Sequence, residues 1–245
     1  MVAASPLLDV VLFDVDDTLY STTAFAAKAR RHAVSAMVEA GLDLDEKLVR
    51  RELSEVVAEF RSNYAGHFDR LLDRVGREHI GSRNPAVVIA AGIVAYHRTK
   101  ETDMVVLPDA LALLDALQAA HVRTGVLSDG LRVKQAEKLI RLDVLGRFDP
   151  EAIFFSDQLG VSKPNPKIFT KACAALDVDP ARVLYVGDRD THDVAPAAAA
   201  GLRTVLYRGA GGKYVEAEPR CTPDHDVTDL RELIPVLRER YGLGV

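Results

Sequence analysis

The sequence predicts an α/β protein with a doubly wound, mostly parallel sheet and an inserted helical domain. Two observations predict the sheet. Short runs rich in Val, Leu, Ile, Phe and Tyr are almost continuously apolar, as in strands buried on both faces, and helical patterns separate most of these runs. The inserted domain is predicted by a long interval after the first strand, which has helical periodicity and no credible strand.

Five strands and four connecting helices form the predicted core. The strands are 10–15, 124–129, 152–156, 183–187 and 204–207. The helices are 109–120, 132–142, 166–176 and 193–200. This alternation forms right-handed βαβ units, which predicts an open, Rossmann-like sheet.

The interval 22–105 predicts four more helices, which are too many for a single crossover connection. They are 24–40, 45–61, 67–75 and 85–98, with Gly41, Gly66 and Gly76 as helix-stop residues. We therefore expect a four-helix cap domain at 21–106, and a core domain formed by 1–20 and 107–245. Because 87–96 has no polar face, we expect this helix to be buried on all sides, in the cap bundle or in a dimer contact; this favours a homodimer.

Composition excludes several classes of function. The 245 residues include 31 Lys+Arg and 36 Asp+Glu, a formal charge of -5, and no basic run suggests a nucleic-acid partner. Cys173 and Cys221 are far apart and lack CxxC spacing, so we expect two free thiols and no zinc site. The N-terminal MVAASPLLD lacks the features of a signal peptide, and no apolar run has the length of a membrane span. We expect a cytoplasmic protein with a small ligand and no membrane partner.

Acidic and polar side chains follow four of the predicted strands, where open α/β sheets bind their ligands. These residues are Asp14, Asp16, Asp17 and Thr18, then Ser128, Asp129 and Gly130, then Ser162, Lys163 and Pro164, and finally Gly187, Asp188 and Asp193. The alternative for Asp14 and Asp16 is a turn in which their side chains cap backbone donors. An acid and a lysine at other strand ends argue against a purely local role and predict one shared site.

Carboxylate oxygens in such a cluster suit Mg²⁺, which binds a few carboxylates, waters and phosphate oxygens. An aspartate that approaches a phosphate dianion to about 4 Å meets a repulsion of about 8 kcal/mol at an effective dielectric constant of about 20. One lysine and one divalent cation can reverse the sign of that interaction. The cluster therefore predicts Mg²⁺-assisted chemistry on a small phosphorylated molecule.

The motifs DVDDT, LSD, SKPNP and GDRDTHD resemble, in their order and at these strand ends, those of the haloacid dehalogenase-like hydrolase superfamily. The resemblance covers residues from about 9 to 233. The stretches AKARRHAVSAMVEAGL, SNYAGHFDRLL and AGIVAYHRTK are similar to an archaeal-type branch with a helical cap. Members of that branch are Mg²⁺-dependent phosphatases, some of them named glyceraldehyde 3-phosphate phosphatases.

The resemblance implies a role for each acid and for the lysine. Asp14 would be the nucleophile that forms an aspartyl-phosphate, and Asp16 would protonate the leaving oxygen and later deprotonate the attacking water. Lys163 would pair with the phosphoryl group and with Asp14. The magnesium ligands would be Asp14, Asp188 and the backbone carbonyl of Asp16, while Asp193 would hold a metal-bound water.

Substrate contacts are expected in both domains. By the resemblance Ser128 would donate a hydrogen bond to the phosphoryl group, and Asp129 would be a second contact, although the superfamily commonly has Asn there. In the cap, Asn63 and His67 flank Tyr64 within about one helical turn and are candidate specificity residues; the alternative is that they terminate a helix.

These expectations favour a Mg²⁺-dependent phosphomonoester hydrolase. Three alternatives stay open: a haloacid dehalogenase, a phosphosugar mutase and a non-enzymatic module that binds a phosphometabolite. A dehalogenase would leave Asp16, Asp188 and Asp193 without a function, and a binding module would gain nothing from a general base. A mutase requires that the cap exclude water.

Overall fold

The computed structural model describes residues 7–61 and 63–245, which divide into two compact units. One unit contains the described residues up to Thr23 together with Val105–Val245, and the other is Ala24–Met104. Most of the N-terminal segment considered for a signal peptide, residues 1–6, lies outside the described residues.

The first unit has a parallel sheet of six strands in the order β3-β2-β1-β4-β5-β6. The strands are β1 Val10–Phe13, β2 Arg123–Ser128, β3 Ile153–Phe155, β4 Val183–Gly187, β5 Arg203–Tyr207 and β6 His225–Val227. The strand order runs outward in both directions from the β1–β4 pair, so the point where ligands bind such sheets lies beside these two strands. The predicted α/β class with a doubly wound parallel sheet is confirmed.

Burial on both faces explains the continuous apolar runs. All four residues of β1 are fully buried. Successive side chains of a strand point to opposite faces of the sheet, so both faces are covered here. On one face Leu12 pairs in register with Tyr185 of β4, and the Tyr185 ring meets the ring of Phe169 edge-on at a centroid distance of 4.9 Å. The central strands therefore carry no polar face that would break their hydrophobic pattern.

Helices connect the strands of this unit. They are α5 Pro108–Ala119, α6 Arg132–Arg141, α7 Ser156–Leu159, α8 Lys167–Leu176, α9 Ala195–Ala199 and α10 Leu233–Tyr241. The helix predicted at 193–200 is preceded by a π-helical turn at Asp190–Val194. Pro196 lies in the first turn of α9, where the missing N–H of proline leaves no helical hydrogen bond unmade.

Three elements of the first unit were not predicted, namely the four-residue helix α7, strand β6 and helix α10. Strand β6 has only three residues and pairs with β5 at the edge of the sheet, so it needs no long apolar run. Helix α10 follows a short helical turn that begins with a capping box between Asp229 and Glu232. Its apolar residues lie on one side, which makes its pattern weaker than that of the strands.

The second unit contains helices α1 Thr22–Glu39, α2 Glu46–Phe60, α3 His67–Val75 and α4 Pro85–Asp103, of which α1 begins in the first unit. Apolar side chains from all four form a core of their own. One predicted helix stop is wrong: Gly66 precedes α3 rather than ending a helix, and α2 ends at Phe60 before Arg61, whose φ is 62°.

Within a single copy of the chain, the helix predicted at 87–96 is buried on one side only, and its burial in a dimer contact stays a prediction. Val88 is fully buried and Gly92 lies against Met37, but Val87 and Val94 on the other side are 60% and 48% exposed. Apolar residues occupy both sides of α4, so hydropathy alone could not distinguish the packed face from the exposed one. Among the described residues, no helix has the length and apolar character needed to cross a membrane.

Candidate active site

Two neighbouring parallel strands place the first two acids. Asp14 follows β1 and Asp188 follows β4, and the backbone N–H of Asp14 still donates to the carbonyl of Val186 at 2.9 Å. Both carboxylates are buried, with 6% of Asp14 and 7% of Asp188 exposed. The strand pairing therefore brings together two acids that are 174 residues apart in the chain.

Asp193 supplies a third carboxylate from the π-helical turn after β4. Its Oδ2 accepts a hydrogen bond from the backbone N–H of Arg189 at 3.0 Å. One carboxylate oxygen from each of Asp14, Asp188 and Asp193 lies within 4.8 Å of the others. Gly187 permits this approach, because a Cβ at that position would lie 2.6 Å from the Cβ of Asp193.

Lys163 is buried among these acids and uses all three of its N–H donors. Its Nζ donates to Oδ1 of Asp14 and to Oδ1 of Asp193, both at 2.7 Å, and to the hydroxyl of Tyr185 at 2.6 Å. Burial disfavours the ammonium ion, but the charges of Asp14 and Asp193 outweigh that effect and raise the pKa of Lys163 well above its usual value. One positive charge therefore lies among three carboxylates.

The acids differ in how well their charge is compensated. Burial raises the pKa of Asp14 to about 6, although Lys163 opposes the shift. Burial, followed by the negative charges of Asp193 and Asp14, raises the pKa of Asp188 to about 9. No group among the described residues donates a hydrogen bond to the Asp188 carboxylate. A cluster of buried oxygen ligands with excess negative charge fits a hard divalent cation.

Asp16 is held by a separate set of donors. Lys138 Nζ donates to its two oxygens at 2.7 and 2.6 Å, Thr22 Oγ1 at 2.7 Å and the Tyr20 hydroxyl at 2.9 Å. Gln135 Nε2 adds a longer contact of 3.3 Å. Burial favours the neutral acid, but the charge and hydrogen bonds of Lys138, followed by those of Thr22 and Tyr20, outweigh it and lower the pKa of Asp16.

A family model for haloacid dehalogenase-like hydrolases matches residues 8–201. This chain belongs to that family. The hydrolase is 45% identical to a glyceraldehyde 3-phosphate phosphatase from Methanopyrus kandleri, over 95% of this chain and 98% of the relative. It is 39% identical to a protein of the same name from Pyrococcus furiosus, over 96% and 95% of the two chains. The predicted family and enzyme class, a phosphatase of this superfamily, are confirmed.

Solved structures share the fold of this hydrolase. A family hydrolase from Deinococcus radiodurans R1 superposes with a TM-score of 0.67 and 23% identity, over 98% of this chain and 99% of that one. At that identity the likeness shows the fold alone. It agrees with the doubly wound sheet described above.

Ser128 of the hydrolase is the last residue of β2, the strand beside β1, and Asp129 follows it. Ser128 is 1% exposed, and its hydroxyl has no hydrogen-bond partner among the described residues. Oδ1 of Asp129 accepts from the backbone N–H of Lys163 at 3.1 Å, and its carbonyl accepts from Gln135 Nε2 at 2.6 Å. The side chain of Asp129 therefore fixes the loop that carries the lysine, which is a contact that the sequence did not predict.

Asn63 and His67 belong to the helical unit, which is separate from the unit that contains the acids. His67 Nε2 lies 2.9 Å from the carbonyl of Arg61, and its ring meets that of Tyr64 edge-on at 5.5 Å. Asn63 is exposed. In the other unit, His192 contacts Arg189 and Thr191 rather than the three grouped acids.

Sequence reasoning missed several residues of this hydrolase that contact the predicted acids, among them Tyr185 and Lys138. The Tyr185 hydroxyl donates to the carbonyl of Leu127 at 2.9 Å and accepts from Lys163, so it helps to hold the lysine side chain in place. The signal was a tyrosine in an otherwise aliphatic strand. Lys138 binds Asp16 from α6, and nothing in the local sequence distinguished it from an exposed helical lysine.

Proposed function

We propose that this hydrolase cleaves phosphate monoesters of small metabolites through an aspartyl-phosphate on Asp14, with glyceraldehyde 3-phosphate as its substrate. The observation that carries the proposal is a buried lysine bonded to Asp14 and Asp193 beside an acid, Asp188, that has no donor among the described residues. This arrangement has a nucleophile, a cation for a phosphoryl group, and oxygen ligands for a metal.

Asp14 is suited to attack phosphorus because its two oxygens have different surroundings. Oδ1 accepts from Lys163, whereas Oδ2 has no hydrogen-bond partner among the described residues. Attack by Oδ2 forms the phosphoryl–aspartate bond and breaks the bond to the leaving oxygen. Lys163 offsets the repulsion between the carboxylate and the phosphate, and the hydroxyl of Ser128 is available to donate to the phosphoryl group.

Mg²⁺ is the cation that we propose for the acidic cluster. Its ligands would be Asp14, Asp188 and the carbonyl of Asp16, with Asp193 holding a bound water. When bound, the ion neutralises the acids and the charge that develops on the phosphoryl oxygens. The support comes from the all-oxygen ligand set and from the raised pKa of Asp188, which burial and the neighbouring carboxylates of Asp193 and Asp14 cause.

Asp16 completes the reaction by moving protons. In its protonated form it donates a proton to the leaving oxygen as the ester bond breaks, and it then takes a proton from the water that attacks the aspartyl-phosphate, which restores the protonated form for the next turnover. Cleavage of a carbon–halogen bond needs no such acid, so the donors gathered around Asp16 disfavour the dehalogenase alternative. Release of inorganic phosphate distinguishes the hydrolase from a mutase, and turnover distinguishes it from a binding module.

The substrate proposal rests on the relatives named glyceraldehyde 3-phosphate phosphatase, which match this chain over nearly their whole length. We propose that the helical unit, predicted at 21–106, acts as a cap and that Asn63 and His67 help to select the substrate. Substrate choice would then reside in a unit distinct from the one that carries the acids.

The phosphatase activity is tested with p-nitrophenyl phosphate and glyceraldehyde 3-phosphate in the presence of Mg²⁺. We expect both to release inorganic phosphate, and we expect EDTA to stop the reaction. Asp14→Asn should retain less than about one thousandth of kcat, as when a nucleophile is removed. Asp143→Asn is the matched control, because Asp143 is exposed and has a φ of 55°, which Asn tolerates. Equal activity in Asp14→Asn and the parent would refute the proposal.

We also propose a homodimer formed through the exposed face of α4. A groove of about 720 Å³ lies between α1 and α4, and Val87, Ala91, Val94 and Arg98 recur along it at the four-and-three spacing of a helical seam. His32 Nδ1 contacts Thr99 Oγ1 at 2.8 Å, and Met37, later in α1, lies against Gly92, earlier in α4, so the helices are antiparallel.

Charge complementarity favours a second copy as the partner. Arg98 lies beside the His32 end of the groove, whereas Glu39 is seven residues further along α1, about 10 Å away. A two-fold axis across the groove therefore places Glu39 of one copy near Arg98 of the other. Sedimentation should show a dimer for the parent and for Val133→Asp, an exposed control on α6, but a monomer for Val94→Asp. A monomeric parent, or a dimeric Val94→Asp, would contradict this proposal.

A further inference from the structure

A second, half-buried lysine faces the second catalytic acid. Lys163 is fully engaged by Asp14, Asp193 and Tyr185, so it is not the partner of Asp16. We propose that Lys138 is the positioning residue that holds the Asp16 carboxylate in its working orientation during proton transfer. This inference rests on the proposed phosphatase function and assigns each of the two acids its own lysine.

The contact between Lys138 and Asp16 has the geometry of a clamp. Nζ donates to both carboxylate oxygens, at 2.7 and 2.6 Å, and so fixes rotation about the last side-chain bond. The side chains of Lys138 and Asp16 are 19% and 33% exposed, so water can only partly replace the contact. A fully exposed ion pair would have little effect on orientation.

Helix α6 anchors this clamp to the rest of the site. Gln135 lies one turn before Lys138 and donates to the carbonyl of Asp129 at 2.6 Å as well as to Asp16 at 3.3 Å. Asp129 in turn accepts from the backbone of Lys163. One face of α6 therefore connects the loop after β1 with the loop that carries the other lysine, across a sequence separation of 122 residues between Asp16 and Lys138.

A purely local structural role does not explain the contact. Thr22 and Tyr20 already tie Asp16 to the start of α1 through their hydroxyls. Lys138 instead reaches Asp16 from a distant helix and supplies a charge. In ester cleavage the P–O bond breaks, its electron pair stays on the leaving oxygen, and that oxygen takes the proton of Asp16. A carboxyl group that is already held in the reactive orientation lowers the entropy cost of reaching the transition state.

The test compares two esters that differ in their need for a proton. The leaving group of glyceraldehyde 3-phosphate is the alkoxide of glyceraldehyde unless its oxygen is protonated, whereas p-nitrophenolate leaves readily without an acid. Single-turnover measurements with excess enzyme and Mg²⁺ isolate ester cleavage from the later attack of water. Lys138→Ala should slow cleavage of the alkyl ester by about 10- to 100-fold, which is part of the about 10²- to 10⁴-fold that acid catalysis contributes, and that of p-nitrophenyl phosphate by less than about threefold.

Two further variants separate positioning from folding. Lys138→Arg keeps two donors and a charge, so it should restore most of the alkyl-ester rate. Lys134→Ala removes an exposed lysine one turn earlier on the same helix and should leave both rates unchanged. A Lys138→Ala enzyme that slows both esters equally, or neither, would overturn the inference. Failure of the parent to cleave either ester would overturn the proposed function and, with it, this inference.

Discussion

At the scale of single residues, Asp188 is the acid of the described site whose ionised form is least stabilised by its neighbours. Lys163 bonds to Asp14 and Asp193 but not to Asp188, whose pKa is raised to about 9 by burial and by the two neighbouring carboxylates. Without a cation, Asp188 is therefore mostly protonated at neutral pH. A divalent ion must displace that proton, so binding of the ion and proton release are linked.

Asp188→Asn tests this electrostatic description. The folded-state pKa lies above the unfolded value of about 3.8, so the metal-free parent loses stability as pH rises from about 4 to about 9. The neutral amide removes this loss, and we expect the melting temperature in EDTA at pH 8 to rise by about 2 to 8 °C, with little change at pH 4.

Mg²⁺ supplies the control for this experiment. It should raise the melting temperature of the parent, and of Asp143→Asn, more at pH 8 than at pH 6, and it should have little effect on Asp188→Asn. An equal rise in the parent and in Asp188→Asn at pH 8 would show that Asp188 does not bind the ion.

The sequence identified the acids that the structure groups, but not all the residues that support them. Asp14 and Asp188 directly follow apolar strands, so the strand-end rule alone placed them at one edge of the sheet. Tyr185 and Lys138 act through contacts across the fold. In the sequence, Tyr185 looks like an ordinary strand residue and Lys138 like an exposed helical residue. Only the packing of β4 and α6 shows their contacts with Lys163 and Asp16.

At the scale of elements, the connection after β4 sets the position of Asp193. Gly187 ends the strand, and the π-helical turn Asp190–Val194 then returns Asp193 to the strand end. A turn of this kind is often found at functional sites because it redirects one side chain within a helix. Here the turn brings the side chain of Asp193 so close to the backbone of residue 187 that only glycine fits there.

Gly187→Ala tests the importance of that close approach. The added Cβ would meet the Cβ of Asp193 at 2.6 Å, so the turn has to move. We expect a loss of stability of about 1–3 kcal/mol in urea unfolding and a fall in kcat of more than about tenfold. Gly146→Ala is the control, because no heavy atom lies within 4 Å of the position of its added Cβ. Parental kcat in Gly187→Ala would show that the position of Asp193 is not critical.

The strength of the pattern decided which elements could be predicted. Strands buried on both faces were found from apolar runs, whereas the edge strand β6 has a polar His225 and Asp226 in its three residues. On α4 the opposite problem arose, because exposed Val87 and Val94 are as apolar as buried Val88. Hydrophobic periodicity detects a difference in polarity between the two faces of an element, and neither β6 nor α4 has such a difference.

At the scale of the whole molecule, we propose that chemistry and substrate choice belong to different units. The acids and both lysines belong to the sheet unit, while Asn63 and His67 belong to the helical unit. Motif spacing predicted the chemistry because the shared reaction fixes the residue types. It could not predict the substrate from the residues, since the groups that select it vary without altering the reaction.

Asn63→Ala and His67→Ala test this division. If they contact the metabolite, they should lower kcat/KM for glyceraldehyde 3-phosphate by about 5- to 50-fold, mainly through KM, because a lost polar contact costs about 1–2 kcal/mol. The values for p-nitrophenyl phosphate should change by less than about twofold. Asp69→Asn, an exposed change on α3, serves as the control. A parallel fall for both substrates would place their effect in folding rather than in selection.

The most direct test of the account is to identify the atom that receives the phosphoryl group. The enzyme is mixed with substrate and Mg²⁺, quenched in acid within milliseconds, digested and examined by mass spectrometry. We expect the peptide that contains Asp14 to gain the mass of one phosphoryl group, and Asp14→Asn to show no such gain. A phosphorylated peptide from another part of the chain, or rapid turnover with no phosphorylated peptide at any time, would contradict the account.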